Sequence, residues 1–157
     1  MTIAVTVAVL GPGSWGTALA LLLARNGCVV RLWGHDPAEI APLRRERENR
    51  RYLPGIPFPP ALSASTDLAE TLTGVELALM VVPSHAYAAT LDRLRPHLPV
   101  DAGFAWATKG LEPGGGRFLH DVTADILGVA WPAAVISGPS FAREVALGLP
   151  TAVTVAS

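Results

Sequence analysis

Three glycines between a strand-like and a helix-like segment form the clearest chemical signal in the sequence. They lie in residues 11–16, which read Gly-Pro-Gly-Ser-Trp-Gly. The apolar run 3–10 is typical of a buried parallel strand, and the helix-forming run 17–27 follows the glycines. Glycines at this spacing permit a tight turn, a close backbone approach to a phosphate and close helix–strand packing, while the helix start attracts negative charge. The segment therefore predicts a pyrophosphate-binding loop of a dinucleotide-binding fold.

Polar and glycine residues also follow the other predicted strands. These loops are 11–15, 34–36, 83–85, 108–110 and 138–140. Because the carboxyl ends of parallel strands meet at one edge of a sheet, we expect all five loops to open on one ligand crevice.

Lys109 is the strongest single candidate in these loops, because it is the only lysine of the chain and follows a predicted strand. An ammonium group at that place can bind a phosphate or polarise a carbonyl. His85 is a second candidate for the crevice lining, since an imidazole titrates near neutral pH.

His35 stands where NAD-selective folds carry an acid for the ribose 2′-hydroxyl. The next residue, Asp36, is expected to cap a helix that begins at Pro37. The missing carboxylate favours tolerance of a 2′-phosphate, so we expect the protein to use NADPH. Use of NADH stays open. One of the arginines in 44–51 is a candidate for that phosphate, although a solvated helix face suits each of them better.

Strands alternate with helices along the chain, which is typical of an α/β fold. The pattern predicts a Rossmann-type, doubly wound, mostly parallel sheet with helices on both faces. The Pro-rich segment 53–60 can hold neither a helix nor a central strand, and a last strand is expected within 151–157. The other predicted strands are 29–33, 77–82, 103–107 and 133–136, and the predicted helices are 37–48, 67–73, one that ends near 94, 118–127 and 141–146.

The composition excludes several function classes. The 157 residues suit one domain, 1–157, and a net charge of -1 gives no electrostatic reason for a nucleic acid or an acidic membrane as partner. Cys28 is the only cysteine, so no disulfide framework or cysteine metal cluster is expected. No apolar run is long enough to span a bilayer, and a strand that begins at once leaves no room for a signal peptide. We expect a cytoplasmic protein.

The charged fraction is unusually low. It is 16%, and the mean hydropathy is +0.39, whereas about a quarter of residues are charged in typical domains. Parallel strands covered on both faces explain part of this, and a surface that another element should cover explains the rest. We therefore expect the front half of a longer enzyme.

Six blocks of the sequence resemble the bacterial type of NAD(P)-dependent glycerol-3-phosphate dehydrogenase. Their order and spacing across the whole chain make a chance similarity improbable. The resemblance implies reversible reduction of dihydroxyacetone phosphate to sn-glycerol 3-phosphate for phospholipid synthesis, with a helical substrate domain outside this chain. The blocks are Gly-Pro-Gly-Ser-Trp-Gly-Thr-Ala-Leu-Ala at 11–20, Leu-Trp-Gly-His-Asp at 32–36, Tyr-Leu-Pro-Gly at 52–55, Val-Val-Pro-Ser-His at 81–85, Trp-Ala-Thr-Lys-Gly-Leu-Glu at 106–112 and Ser-Gly-Pro-Ser-Phe-Ala at 137–142.

Individual residues receive roles from the fingerprint and the resemblance together. Ser14 also suits a simple helix cap, and Trp15 a core aromatic. The proton acceptor of the family is a second lysine outside this chain, so we expect the 157 residues to bind NADPH or NADH weakly, without turnover. The predicted cofactor contacts are Gly11, Gly13, Ser14, Trp15, Gly16, His35, Lys109 and Ala142, and the predicted substrate contacts are Lys109, Gly138 and Ser140.

Two alternatives stay open. The chain could be a stand-alone NAD(P)-binding module without catalysis, or the Rossmann half of a related hydroxy-acid or phosphogluconate dehydrogenase. The loops 108–110 and 137–140 favour a glycerol-3-phosphate dehydrogenase over the module, since a pure nucleotide binder needs no cationic substrate-side loop. The related dehydrogenases do not require the block 106–112. The expected partners are a small-molecule substrate, the missing domain and, in the full enzyme, a second copy.

Overall fold

A seven-stranded sheet organises the chain, which the computed structural model describes over residues 4–157. The strands are β1 (Thr6–Leu10), β2 (Val29–Trp33), β3 (Leu62–Ser65), β4 (Leu77–Met80), β5 (Gly103–Trp106), β6 (Ala133–Ser137) and β7 (Thr154–Ala156). Their order is β3-β2-β1-β4-β5-β6-β7, and β7 alone runs antiparallel to its neighbour. The helices are α1 (Ser14–Arg25), α2 (Pro37–Glu46), α3 (Leu68–Leu72), α4 (Ser84–Leu94), α5 (Leu119–Leu127) and α6 (Ala142–Ala146), with a 3-10 turn at Arg95–His97.

The helices cover both faces of the sheet and form two cores. On one face, α1 and α6 pack over side chains such as Val9 and Leu32. On the other face, α3, α4 and α5 bury an aromatic group that includes Tyr87, Phe104 and Trp106. This arrangement confirms the doubly wound, Rossmann-type α/β fold.

The register of the central strands aligns their carboxyl ends. Leu10, the last residue of β1, pairs with Trp33 at the end of β2 and with Met80 at the end of β4. Met80 in turn pairs with Trp106, the last residue of β5. The loops after these strands therefore begin at one edge of the sheet, as the sequence predicts.

The second helix starts as predicted and ends earlier. The Asp36 side chain accepts a hydrogen bond of 2.8 Å from the Ala38 backbone N–H, which confirms the cap. The helix stops at Glu46 rather than at residue 48, because Arg47 takes a left-handed conformation, with φ of 54°. Its N–H bonds back to the Leu43 carbonyl, which closes the last turn.

One strand was missed by the sequence reasoning. β3 is short and lies at the edge of the sheet, where Leu62 and Ala64 are buried and Ser63 is exposed. Such an alternating pattern of four residues after a Pro-rich segment gives little signal. Residue 3, which belongs to the first predicted strand, lies outside the described residues.

Candidate cofactor-binding site

A cavity of about 770 Å³ opens at the carboxyl edge of the sheet. Its lining comes from the loops after β1, β2, β4, β5 and β6, so the predicted convergence of these loops is confirmed. All of the predicted cofactor residues line it: Gly11, Gly13, Ser14, Trp15, Gly16, His35, Lys109 and Ala142.

Gly11 and Gly16 are required by the packing of the turn between β1 and α1. Gly11 has a φ of 120°, and a Cβ atom there would stand 2.7 Å from the Val81 carbonyl oxygen. A Cβ atom at Gly16 would stand 1.9 Å from the Gly11 carbonyl oxygen. Any side chain at either place would force backbone atoms apart, so the two glycines hold the turn and the helix close to the sheet.

Gly13 differs from these two, because a Cβ atom there would meet no atom within 4 Å. It lines the cavity and is the N-cap of α1, where the Thr17 N–H makes a 2.9 Å hydrogen bond to the Gly13 carbonyl. Residues 14–16 come before this first hydrogen bond of the helix, so their N–H groups are available to a ligand. The space beside Gly13 therefore fits a phosphate group held at a helix start.

Ser14 is the first residue of α1 and makes no capping hydrogen bond, so the prediction of a Ser14 cap was wrong. The Gly13 backbone fills that position instead. Ser14 is exposed toward the cavity, which leaves its hydroxyl free for a ligand.

Asn49 anchors the glycine loop through hydrogen bonds of its side chain. Its side-chain amide donates 2.9 Å hydrogen bonds to the Pro12 carbonyl and to the Thr17 hydroxyl oxygen, and its own oxygen accepts from the Tyr52 N–H. Asn49 is 1% exposed. Sequence reasoning missed this residue, because a single asparagine among arginines and glutamates looks like part of a solvated segment.

Lys109 lines the cavity close to Trp15 of the glycine loop. Its Nζ stands 6.0 Å from the centre of the Trp15 ring, over the ring face, and it forms no salt bridge within residues 4–157. The preceding residue, Thr108, is fixed by a 2.8 Å hydrogen bond from its hydroxyl to the Val82 carbonyl. An exposed ammonium group on an anchored loop is suited to an anionic ligand.

The predicted substrate residues separate in the structure. Ser140 lines the cavity, and its hydroxyl also donates to the Ala152 carbonyl at 3.3 Å. Gly138 lies outside the cavity lining; a Cβ atom there would stand 2.7 Å from the same carbonyl oxygen. The backbone of Gly138 thus packs against the segment before β7, and its substrate contact remains a prediction.

The other end of the cavity lies at the end of β2. There the lining includes Trp33, His35, Glu39, Tyr52 and Arg93. None of the arginines between 44 and 51 lines the cavity. Instead Arg45 and Arg50 pair with Glu46, and Arg47 donates to the Pro59 carbonyl.

Two features are absent from the part described, residues 4–157. It contains no cluster of three or more side chains suited to a metal ion. None of its helices is long and apolar enough to cross a membrane.

The family model of the NAD-dependent glycerol-3-phosphate dehydrogenase N-terminus matches residues 6–157. The chain belongs to this family. The resemblance of the six sequence blocks is thereby confirmed, and the glycine loop and the cavity lie where a dinucleotide-binding fold needs them.

Relatives of the family agree with this assignment. The chain is 59% identical over 149 residues to a glycerol-3-phosphate dehydrogenase (NAD(P)+) of Xanthomonas campestris, which covers 95% of the chain and 44% of the relative. The corresponding protein of Stenotrophomonas maltophilia is 56% identical over 98% of the chain and 45% of its own length. The crystal structure of a glycerol-3-phosphate dehydrogenase from Coxiella burnetii superposes with a TM-score of 0.92 at 49% identity, covering 97% of the chain and 46% of that protein. The chain thus spans less than half the length of these relatives.

Proposed function

We propose that the chain is the NAD(P)-binding part of an oxidoreductase that interconverts dihydroxyacetone phosphate and sn-glycerol 3-phosphate. The product would feed phospholipid synthesis. The observation that supports this most is the cavity, in which the glycine loop faces the single lysine. The similarity to relatives named as glycerol-3-phosphate dehydrogenases supports the reaction.

The glycine loop would hold the pyrophosphate of the cofactor. In this proposal, the free N–H groups at the start of α1 donate to phosphate oxygens, and Gly13 leaves the space for them. Trp15 and Ala142 border the same cavity and would exclude water from it. When bound, the nicotinamide accepts or supplies the hydride.

Lys109 and Ser140 would contact the substrate. The Lys109 ammonium is suited to a phosphate or to a carbonyl oxygen that gains negative charge, and the Ser140 hydroxyl would turn from the Ala152 carbonyl to donate to the substrate. Gly138 would approach the substrate through its backbone. Proton transfer is assigned to residues outside these 157, in the part of the protein that the longer relatives possess.

The partners follow from the same proposal. They are a small phosphorylated substrate, a further domain that completes the substrate pocket, and a second copy in the full enzyme. A cytoplasmic location is part of the proposal, because Cys28 as the single cysteine rules out an internal disulfide framework.

Replacement of Gly13 by valine tests the cofactor site. The φ of Gly13 is -68°, which any residue adopts, and the added side chain would meet no protein atom near Cβ. The variant should therefore keep its unfolding midpoint but lose affinity for both NADH and NADPH by at least about tenfold, because the side chain fills the space of the phosphates. Titration calorimetry of the 157-residue chain measures this.

Gly103→Ala is the matched control. A Cβ atom at Gly103 would make only an ordinary contact, 3.5 Å from a Leu77 methyl carbon, far from the glycine loop. This variant should bind both cofactors like the unmodified chain. Unchanged binding by Gly13→Val would contradict the proposed site. If the chain binds the cofactor but, even when joined to the remaining residues of a longer relative, does not turn over dihydroxyacetone phosphate, the non-catalytic module would be favoured.

A further inference from the structure

Arg93 reaches the cavity from a helix that the sequence reasoning did not connect with the cofactor. One face of α4 lines the cavity through Ala86, Ala89, Thr90 and Arg93. Ala86 is followed three and four positions later by Ala89 and Thr90, and these by Arg93 at the same spacings, so the four form one stripe along the helix. The first three are small, and Arg93, at the far end of the stripe, brings the charge.

The guanidinium of Arg93 is held by Trp33. Its Cζ stands 5.4 Å from the centre of the Trp33 ring, over the ring face. Trp33 is 2% exposed, and its Nε1 donates a 3.0 Å hydrogen bond to the Thr66 carbonyl. The indole is therefore a fixed platform for a cation.

Trp33 also identifies which end of a dinucleotide would lie here. It is the last residue of β2, and in this fold the loop after the second strand contacts the adenosine ribose. An arginine near that loop is the usual receptor for a 2′-phosphate. Lys109, by contrast, lies against Trp15 of the glycine loop, with its Nζ 6.0 Å from the ring centre.

The charges around Arg93 leave it available. Within residues 4–157 it forms no salt bridge, and the Asp36 carboxylate is used by the helix cap. Among the residues that line the cavity, Glu39, in the first turn of α2, has the only carboxylate, which would oppose a second negative charge. His35 also lines the cavity and adds no negative charge.

We propose that Arg93 binds the 2′-phosphate of NADPH and gives the chain a preference for NADPH over NADH. This inference rests on the proposed function, because it requires the cavity to hold a dinucleotide. Arg93, stacked on Trp33, presents a planar pair of donors, which match phosphate oxygens.

The test compares two cofactors and two fragments by calorimetry on the 157-residue chain. NADPH and adenosine 2′,5′-bisphosphate carry the 2′-phosphate, whereas NADH and AMP lack it. Arg93→Gln should weaken both 2′-phosphorylated ligands by about 10- to 100-fold, since a hydrogen bond to a charged group is lost. Binding of NADH and AMP should change by less than about threefold.

Three further variants sharpen the result. Arg95→Gln removes the same charge from an exposed residue outside the cavity lining and should leave all four affinities unchanged. Arg93→Lys should retain part of the preference. Glu39→Gln should strengthen the binding of NADPH relative to NADH.

The outcomes distinguish the two proposals. Equal weakening of NADPH and NADH by Arg93→Gln, or no weakening of either, would overturn the assignment of Arg93 while the dinucleotide site stands. Failure of the unmodified chain to bind either dinucleotide would overturn the proposed function, and this inference with it.

Discussion

Asn49 and Pro12, far apart in the sequence, are joined by a hydrogen bond of 2.9 Å from the asparagine amide to the proline carbonyl. The same amide donates to Thr17, whose hydroxyl donates to the Pro12 carbonyl at 3.2 Å. All three residues are buried. The glycine loop is thus anchored by buried hydrogen bonds to side chains of the protein itself.

We expect Asn49→Ala to loosen the loop. The Pro12 carbonyl would lose a buried, uncharged hydrogen-bond donor, and this loss should lower the free energy of unfolding by about 1–3 kcal/mol. Cofactor affinity should fall as well, because the amides of α1 would no longer be held in position. Chemical unfolding and calorimetry measure the two effects.

Asn49→Asp and Asn26→Ala are the comparisons for this prediction. The aspartate keeps the shape but has no N–H donor, so a carboxylate would face the Pro12 carbonyl oxygen and destabilise the fold at least as much. Asn26 is exposed at the end of α1, and its replacement should change neither quantity appreciably. A normal cofactor affinity in Asn49→Ala would show that this anchor is dispensable.

Most of the fold could be predicted from local patterns. Continuous apolar runs such as 77–82 are typical of strands covered on both faces, and β4 occupies the first four residues of that run. Asp36-Pro37 and Asp67 predict where two helices begin. The spacing of the glycines predicted the loop geometry at Gly11 and Gly16, each of which meets a separate steric requirement, whereas Gly13 has open space beside it.

The adenosine end of the cavity could not be predicted in the same way. Arg93 meets Trp33 only because β4, which leads into α4, is placed two strands from β2, on the far side of β1. No spacing in the sequence encodes that approach. The arginine-rich segment 44–51 was the more obvious candidate by composition, but those side chains are engaged elsewhere or lie outside the cavity.

Lys109 should be required for turnover in a protein that contains the substrate pocket. The chain joined to the remaining residues of the Xanthomonas campestris relative supplies such a protein. Lys109→Ala should lower kcat/KM for dihydroxyacetone phosphate by at least about 100-fold, because a preorganised cationic donor is removed from the site of developing charge. A coupled absorbance assay of NADPH consumption measures it.

His85→Ala is the control for Lys109. His85 lines the same cavity from the first turn of α4 and is exposed. Its replacement should change kcat/KM by only a few-fold, about what loss of a peripheral contact costs. The opposite ranking of the two variants would remove Lys109 from the site and assign its role to His85.

Tyr87 should make the fold sensitive to alkaline pH. Its side chain is fully buried, and its hydroxyl lies 2.8 Å from the Thr123 hydroxyl oxygen. Because the Thr123 hydroxyl already donates to the Leu119 carbonyl, Tyr87 must be the donor in this pair. Burial raises the pKa of Tyr87 well above its ordinary value, and the hydrogen bond to Thr123 offsets part of the rise.

The raised pKa of Tyr87 determines how the stability of the fold changes with pH. Below pH 10, the ordinary pKa of tyrosine, Tyr87 is protonated in both the folded and the unfolded chain, and its contribution to stability is complete. Above pH 10 the unfolded chain loses the proton first, so stability falls as the pH rises toward the folded pKa. Urea unfolding between about pH 9 and 11 should show a steeper loss in the unmodified chain than in Tyr87→Phe, which cannot ionise. Tyr52→Phe, at the half-exposed second tyrosine, should keep the steep slope, and a slope equally reduced in both variants would contradict the role of burial.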